Sequence, residues 1–249
     1  MKIKVEVHVL YYYEHWLLPY IIRHYRTYAS KLVIHNAGQP LKLRPAKGVV
    51  IMPWDCHEVS NTRYMELCNS CWKGTNADFV IVVDADEFIW FPEGAAKTLA
   101  AYMAKGAAVI KTHGFEMFSG HLPTGPGQIY DEIKFGAPDD KWYAKPCLFS
   151  PKLVRDSALG IGQHEADPVL HDGRKLRVGH DWPFATPPAY LLHYHQIGPA
   201  EAIAARYEGN IERMCAENRE KGWGNLKKGM VHVREKRDYI FPLLDQVVP

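Results

Sequence analysis

The sequence predicts a single α/β domain with a Rossmann-like, mostly parallel central sheet and helices on both faces. Along residues 1–111, short apolar segments alternate with longer segments of helical periodicity, as βαβ units require. Residues 79–83 are apolar without alternation, which is typical of a central strand covered on both faces. The hydrophobic content of 47% and the charged content of 23% are those of an ordinary globular protein.

Each element of this half has its own signal. Pro19 is compatible with a helix because it falls in the first turn, and Gly74 and Gly106 end the next two helices. The predicted elements, in order, are a strand at residues 5–10, a helix at 17–29, strands at 32–35 and 49–52, a helix at 64–72, a strand at 79–83, a helix at 95–105 and a strand at 107–111.

After residue 111 the alternation of strands and helices decays. Residues 121–128 and 136–140 are rich in proline and glycine and are predicted to be loops. Short strands are expected at residues 146–149 and 190–195. One helix is predicted from Pro199 to about residue 221, because a proline opens it and a glycine lies beyond its end.

Charge and hydropathy exclude several classes of protein. A formal net charge of +2 without a long basic run gives no reason to expect nucleic acid as a partner. No apolar run reaches the length of about 18 residues that predicts a transmembrane helix, although association with a membrane surface stays open. The first residues lack the apolar stretch of a signal peptide, so we expect a cytoplasmic protein.

The five cysteines are odd in number and irregularly spaced, which predicts free thiols. Cys68 and Cys71 have the spacing of a redox or zinc motif. In the sequence, no second pair or nearby histidine completes a four-ligand site. We therefore interpret them as two packed thiols on a helix.

Three carboxylates, Asp84, Asp86 and Glu87, follow directly on the apolar strand. Ligands of open parallel sheets bind outside the carboxyl ends of the strands. With a near-extended backbone, Asp84 and Asp86 point the same way while Ala85 turns back toward the protein. Two hard oxygen ligands suit Mn²⁺ or Mg²⁺, so the sequence predicts a divalent metal site here. The alternative is that these acids cap the next helix or lie solvated in a loop.

Residues 82–88, Val-Val-Asp-Ala-Asp-Glu-Phe, resemble the hallmark of family-2-like glycosyltransferases with the GT-A fold. The opening is similar too: a strand is followed by Tyr13-Glu14, a helix and a second strand that ends in the His-Asn-Ala-Gly of residues 35–38. Late in the chain, Lys145-Pro146 and His193-Tyr194 resemble two further signatures of that family. The resemblance covers roughly residues 3–207.

The resemblance implies transfer of a sugar, with inversion at the anomeric carbon, from a nucleoside-diphosphate sugar to a carbohydrate or glycolipid acceptor. UDP is the guessed carrier. Asp84 and Asp86 would hold the metal that bridges the diphosphate. The single domain 1–249 then divides into a nucleotide-sugar-binding half (1–111), an acceptor-side half (112–221) and a C-terminal extension (222–249). The residues expected to contact the donor are Tyr11, Glu14, His35, Asn36, Asp55, Asp84, Ala85 and Lys145.

One departure from the family pattern concerns the base. Relatives usually carry an aspartate before the asparagine that ends the second strand, whereas this chain has His35 before Asn36. Base recognition is then either altered or taken over by Asp55, after the third strand.

His193 and His195 lie two positions apart in a predicted strand, so both imidazoles face the same side. In many enzymes of this fold a late histidine completes the metal coordination, and His193 matches the family signature better than His195. A hydrogen-bonded core histidine is the alternative. A zinc site that adds His164 or His180 has no motif of fixed spacing behind it.

The general base that activates the acceptor is predicted among His164, Glu165 and Asp181, with Glu116 as a further candidate. All four lie in the second half of the chain, where an acceptor is expected. Two other functions compete with transfer: a phosphotransferase that uses an Asp-x-Asp pair, and a sugar- or nucleotide-binding protein without turnover.

Overall fold

The computed structural model describes residues 2–12, 15–38, 41, 46–223 and 229–249. The first half contains β1 (Val5–Tyr11), α1 (Leu18–Tyr25), β2 (Lys31–Asn36), β3 (Val49–Pro53), α2 (Asn61–Ser70), β4 (Phe79–Asp84), β5 (Glu87–Trp90), α3 (Ala95–Ala104) and β6 (Val109–Ile110). The second half contains β7 (His113–Ser119), α4 (Ile129–Glu132), β8 (Phe135–Pro138), β9 (Leu148–Phe149), β10 (Val154–Asp156), β11 (Val169–Leu170), β12 (Tyr190–Ile197), α5 (Ala200–Glu212), α6 (Ala216–Glu220), α7 (Gly229–Ile240) and β13 (Asp245–Gln246).

The first sheet has six strands in the order β3-β2-β1-β4-β9-β6. Strands β3, β2, β1 and β4 are parallel, and β9 runs antiparallel to both β4 and β6. Val7 and Ile81 pack in one apolar core with residues of α1 and α3, whereas Val82 packs in a second core with Cys68 of α2. Helices therefore cover both faces of a mostly parallel sheet, and the predicted fold class is confirmed.

A second sheet of five strands lies beside the first, in the order β13-β8-β7-β12-β5. Strands β7 and β12 are parallel, and the other three pairings are antiparallel. Only Ala85 and Asp86 separate β4 of the first sheet from β5 of the second, and both residues lie in a turn. The acidic segment is therefore the junction between the two sheets.

Several sequence predictions for the second half are wrong. Strand β7 has no predicted counterpart, as is also true of β5 in the first half, and the loop predicted at residues 136–140 begins inside β8. Gly136 is needed there because a β-carbon would lie 2.9 Å from the carbonyl oxygen of Glu116 and 2.7 Å from the sulfur of Met117. The glycine reflects close packing of β8 on β7, which composition alone does not distinguish from a loop.

The single helix predicted from Pro199 to residue 221 is two helices, α5 and α6. The chain between them is extended at Cys215, whose N–H donates to the carbonyl oxygen of Val59 at 3.1 Å. Within the C-terminal extension, α7 packs its Val233 against Ile203 of α5. None of the helices in the described ranges combines the length and the apolar character needed to cross a lipid bilayer.

Helix α1 holds β5 in place through side chains that bind its backbone. The buried Tyr25 hydroxyl donates to the carbonyl oxygen of Glu87 at 2.8 Å and accepts from the N–H of Ile89 at 3.3 Å. The carbonyl oxygen of Ile89 lies 3.0 Å from Nε2 of His24 and accepts from the Tyr28 hydroxyl, also at 3.0 Å. The strand after the acidic turn is thus fixed by α1 and by the turn that follows this helix.

Replacement of Tyr25 by Phe should lower the free energy of unfolding by about 1–3 kcal/mol, because two buried backbone groups lose their partner. Tyr28→Phe is the matched control: the carbonyl oxygen of Ile89 keeps His24 as a partner, so its loss should be smaller. Urea denaturation of both variants measures the difference. Equal losses would show that the Tyr25 hydroxyl has no special part in fixing β5.

Burial lowers the pKa of His24 to about 4, against a small opposing effect of its hydrogen bond to Ile89. As the pH falls, the unfolded chain takes up this proton near the ordinary value of about 6.5 while the folded chain stays neutral. Stability should therefore fall by about 2 kcal/mol between about pH 7.5 and about pH 5. The His24→Gln variant should show a shallower pH dependence in urea denaturation, whereas exchange of the exposed His57 should leave it unchanged.

Candidate metal centre and cleft

A cleft of about 1030 Å³ opens beside the carboxyl ends of β1 and β4. In the sheet order, β2 and β3 lie on one side of β1 and β4 on the other, so the order reverses at this point, where open α/β sheets bind their ligands. Tyr12 follows β1 into the cleft, and Asp84 ends β4 there. The other walls include Ser60, Asn61 and Tyr64 near the start of α2, Trp142, Tyr143 and Lys145, and His232, Glu235, Lys236 and Tyr239 of α7.

Asp86, His193 and His195 form a group whose potential ligand atoms all lie within 4.8 Å of one another. Oδ2 of Asp86 is 2.8 Å from Nδ1 of His195 and 3.4 Å from Nε2 of His193. The two imidazole rings stack with centroids 5.6 Å apart. Strand β12 brings the histidines together and the acidic turn adds the carboxylate, so three of the four predicted metal ligands meet in the cleft.

Glu116 stands behind His193. It lies opposite His193 in the parallel pairing of β7 with β12, and its Oε1 is 2.8 Å from Nδ1 of that histidine. The Glu116 side chain is 1% exposed, and Nζ of Lys236 lies 3.7 Å from its other oxygen. A carboxylate in this position orients the imidazole and leaves Nε2 facing Asp86. The sequence hypothesis that Glu116 is a general base is not supported by this buried pairing.

The carboxylates of this group and His193 stabilise one another's charged forms. Although burial opposes it, the carboxylates of Glu116 and Asp86 raise the pKa of His193 to about 10. Burial likewise acts against ionisation of Asp86, but the two imidazoles hold the pKa of this carboxyl well below its usual range. An ionised carboxylate is therefore present at neutral pH in a site that is largely shielded from water.

Asp84 lies apart from this group, contrary to the expectation that both aspartates converge on one cation. The expectation assumed an extended backbone, whereas Ala85 and Asp86 form a turn. Oδ1 of Asp84 accepts a hydrogen bond from the Tyr64 hydroxyl at 2.9 Å, and Oδ2 lies 4.0 Å from Nζ of Lys145. Direct metal ligation by Asp84 stays a prediction.

Lys145 is buried at the edge of the cleft in an ion pair with Glu87, with 2.5 Å between Nζ and Oε1. Burial opposes its charge, but Glu87 and Asp84 raise the pKa of Lys145 above its ordinary value. Burial and then the charge of Glu87 raise the pKa of Asp84 to about 7, against the effect of Lys145. Lys145 is thus largely neutralised by these acids and is not a free cation for phosphate.

Of the seven described residues predicted to contact the donor, four do not line the cleft. Tyr11 is fully buried in the first core, with its hydroxyl 2.7 Å from Nδ1 of His15, because β1 turns it to the opposite side from Tyr12. The buried ring of His35 stacks on His8. Ala85 is buried and does line the cleft.

The remaining donor-binding predictions have other partners or lie outside the described ranges. Oδ1 of Asn36 accepts a hydrogen bond from the N–H of Gly38 at 3.1 Å. Asp55 is exposed and pairs with His57 at 3.3 Å. Glu14 lies outside the described residues. Recognition of the base by His35 or Asp55 is therefore not supported by their positions.

The predicted general bases occupy different positions. His164 lines both the main cleft and a smaller pocket of about 300 Å³, where Glu165 and His180 join it. Burial, with smaller effects of Lys145 and two histidines, lowers the pKa of His164 to about 4. Glu165 is exposed and lines only the smaller pocket, and the exposed Asp181 lines neither.

Sequence reasoning missed several cleft residues. The predicted donor-binding residues include Tyr11 and not Tyr12. Alternation along a strand allows only one of the two to face the cleft, and that residue is Tyr12. Tyr64 opens the helix predicted at residues 64–72, and helical periodicity gives no sign that its hydroxyl reaches the cleft. No sequence motif marks the side chains of α7 as cleft residues, because a helix with many charged residues is usually exposed to solvent.

Comparisons with known proteins identify no family for this chain. No protein-family model matches the chain, and no relative is found among curated proteins. Among solved structures, the chain is similar to CMP:2-keto-3-deoxy-manno-octonic acid synthetase complexed with CTP, at 12% identity and a TM-score of 0.28, over 47% of this chain and 54% of that one. The similarity thus spans about half of that chain and is too low to carry a conclusion about function. The strands and helices themselves define a Rossmann-like α/β protein.

Replacement of Asp86 by Asn should weaken Mn²⁺ binding by about tenfold or more, because it removes the only carboxylate of the three-residue group. Asp84→Asn is the matched control, two positions away and outside that group, and should change the affinity by less than about threefold. Titration calorimetry with MnCl₂ measures both. An equal loss in the two variants would restore the hypothesis that both aspartates are ligands.

Proposed function

We propose that this chain is a metal-dependent glycosyltransferase that uses a nucleoside-diphosphate sugar as donor. The observation that supports the proposal is the position of the Asp86, His193 and His195 group inside a cleft of about 1030 Å³ at the carboxyl ends of parallel strands. The segment that supplies Asp86 is also the one that resembles family-2-like glycosyltransferases. Geometry and sequence therefore point to the same residue.

The chemistry of the donor set fits a divalent transition metal. One carboxylate and two imidazoles suit Mn²⁺ better than Mg²⁺, which prefers oxygen ligands, and they also suit Fe²⁺ and Zn²⁺. Asp86, His193 and His195 would hold the ion and leave positions for water and substrate phosphates. A divalent ion supplies positive charge that stabilises a diphosphate as it leaves.

The chain's own residues prepare this site before any ligand binds. Glu116 orients the imidazole of His193 through the 2.8 Å contact with Nδ1. Lys145 and Tyr64 hold the Asp84 carboxylate at the edge of the cleft, where it faces the space beside Tyr12. We assign the nucleoside of the donor to this end of the cleft. Aromatic rings that can stack on a base lie there beside a carboxylate that can accept a hydrogen bond from a hydroxyl group.

The acceptor is assigned to the side of the cleft formed by Trp142, Tyr143 and His164. Trp142 is 47% exposed, so its ring is available to stack on a sugar. Because burial lowers the pKa of His164 to about 4, this imidazole is neutral at pH 7 and can accept a hydrogen bond from an acceptor hydroxyl, although so low a pKa makes it a weak base. Of the three predicted bases, His164 alone lines the cleft, so we propose it for that role.

The proposal is tested by mass-spectrometric detection of nucleoside diphosphate released from a panel of donors, UDP-sugars first, with and without Mn²⁺ and a carbohydrate acceptor panel. Wild-type protein should release the diphosphate only with metal. Asp86→Asn should lower the rate by about 10²-fold or more, since the charge that stabilises the leaving diphosphate is lost.

The matched control is Asp245→Asn, which changes an exposed carboxylate in β13 and should keep the wild-type rate. Metal-dependent binding of the donor, without release of diphosphate for any acceptor, would instead indicate a binding protein. Hydrolysis of simple phosphate esters without action on sugar donors would indicate a phosphotransferase. Undiminished release by Asp86→Asn in the presence of chelator would refute the role of the metal.

A further inference from the structure

A second group of potential metal ligands lies under α2, away from the cleft. It consists of His8, His35 and Cys71, and their ligand atoms all lie within 4.8 Å of one another. None of the three lines the main cleft. Both histidines are buried, and Cys71 is partly exposed, which leaves a route from solvent.

The convergence of these residues follows from the pairing of β1 with β2. Leu10 pairs with His35 and His8 pairs with Val33, so both imidazoles project from the same face of the sheet as diagonal neighbours. Nδ1 of His8 lies 3.0 Å from Nε2 of His35. Helix α2 packs over this face and ends at Cys71, its C-terminal cap.

A carboxylate stands beside the two histidines. Glu6 precedes His8 by two positions on β1, and its Oε1 lies 3.2 Å from Nε2 of His8. Lys31 and Thr75 hold Glu6 in place through hydrogen bonds of 2.8 Å and 2.6 Å. A carboxylate next to an imidazole is the usual partner of a metal-binding histidine.

The contacts of these atoms within the protein leave room for an ion. Nε2 of His8 is buried and makes no hydrogen bond of acceptable geometry among the described residues, despite its proximity to Glu6. Within the described part of the chain, the hydrogen bond of the Cys71 thiol is a long one, 4.0 Å to the carbonyl oxygen of Cys68. Tetrahedral zinc separates its nitrogen and sulfur ligands by roughly 3.3–3.6 Å, which small side-chain adjustments reach from this arrangement.

We infer that His8, His35 and Cys71 bind one Zn²⁺ ion, with Glu6 either orienting His8 or completing the coordination. Two imidazoles and a thiolate suit Zn²⁺ and not Mg²⁺ or Mn²⁺, and the thiolate distinguishes this site from the cleft group, which has none. Binding transfers the thiol proton of Cys71 to solvent and forms the zinc–sulfur bond, without any redox change. The ion ties the end of α2 to β1 and β2.

The site is structural in kind and independent of the proposed function. Its ligands come from two strands and from the end of the helix whose first turns contribute Asn61 and Tyr64 to the cleft. A zinc ion at the C-terminal end of α2 would fix the position of this cleft wall relative to the sheet.

The experiment uses the full chain carrying Asp86→Asn, which weakens metal binding in the cleft, and titrates Co²⁺ as a spectroscopic substitute for Zn²⁺. A thiolate-to-cobalt charge-transfer band should grow to saturation at about one equivalent, and Zn²⁺ should displace it. Adding Cys71→Ser should abolish the band. Adding Cys68→Ser, one turn earlier on the same helix, should leave it, because the buried Cys68 thiol lies instead 3.6 Å from Nε2 of Gln163.

His35→Gln is the second ligand variant, so the inference stays testable if Cys71→Ser does not fold. It should weaken Co²⁺ binding by about tenfold or more while circular dichroism stays that of the parent. Absence of the thiolate band in the Asp86→Asn parent, or its loss with Cys68→Ser and survival with Cys71→Ser, would overturn the site. Metal binding in the cleft is already weakened in this background, and the cleft group contains no thiol. Neither outcome therefore depends on glycosyl transfer.

Discussion

The contact between Asp86 and β12 is the interaction on which the rest of the site depends. The carbonyl oxygen of Asp86 accepts a hydrogen bond from the N–H of Tyr194 at 2.7 Å, and its carboxylate lies between the imidazoles of His193 and His195. Because Asp86 belongs to the turn between β4 and β5, this contact fixes where the two sheets meet. Burial of a lone carboxylate would be costly, so the turn is stable here because the two imidazoles contact that carboxylate.

The turn also places the carboxylates of the acidic segment in two separate groups of contacts. Asp86 faces the histidines of the second sheet, whereas Asp84 and Glu87 face Lys145. Each set is close to charge balance, which is how several buried ionisable groups share one end of the molecule. The path of the backbone through the turn thus places Asp86 beside two imidazoles, and Asp84 and Glu87 beside Lys145.

Much of the first half could be predicted from sequence because its strands and helices carry strong local periodicity, and the acidic segment could be placed at the correct edge of the sheet. What could not be predicted depends on contacts between distant segments. Glu116 meets His193 only through strand pairing, and Cys71 meets its histidines only because α2 packs across β1 and β2. Tyr11 and His35 show a further limit: near a strand end, a residue belonging to a motif and its neighbour face opposite sides.

The walls of the cleft come from both ends of the described chain, with Tyr12 following the first strand and Lys236 in the last helix. A ligand held between them is linked to the folding of every segment that positions either wall, including the packing of α7 on α5. Local unfolding of α7 therefore competes directly with ligand binding in the cleft. Saturating ligand should slow amide exchange in α7 as well as in the sheet, which makes a distant terminus a reporter of events at the centre.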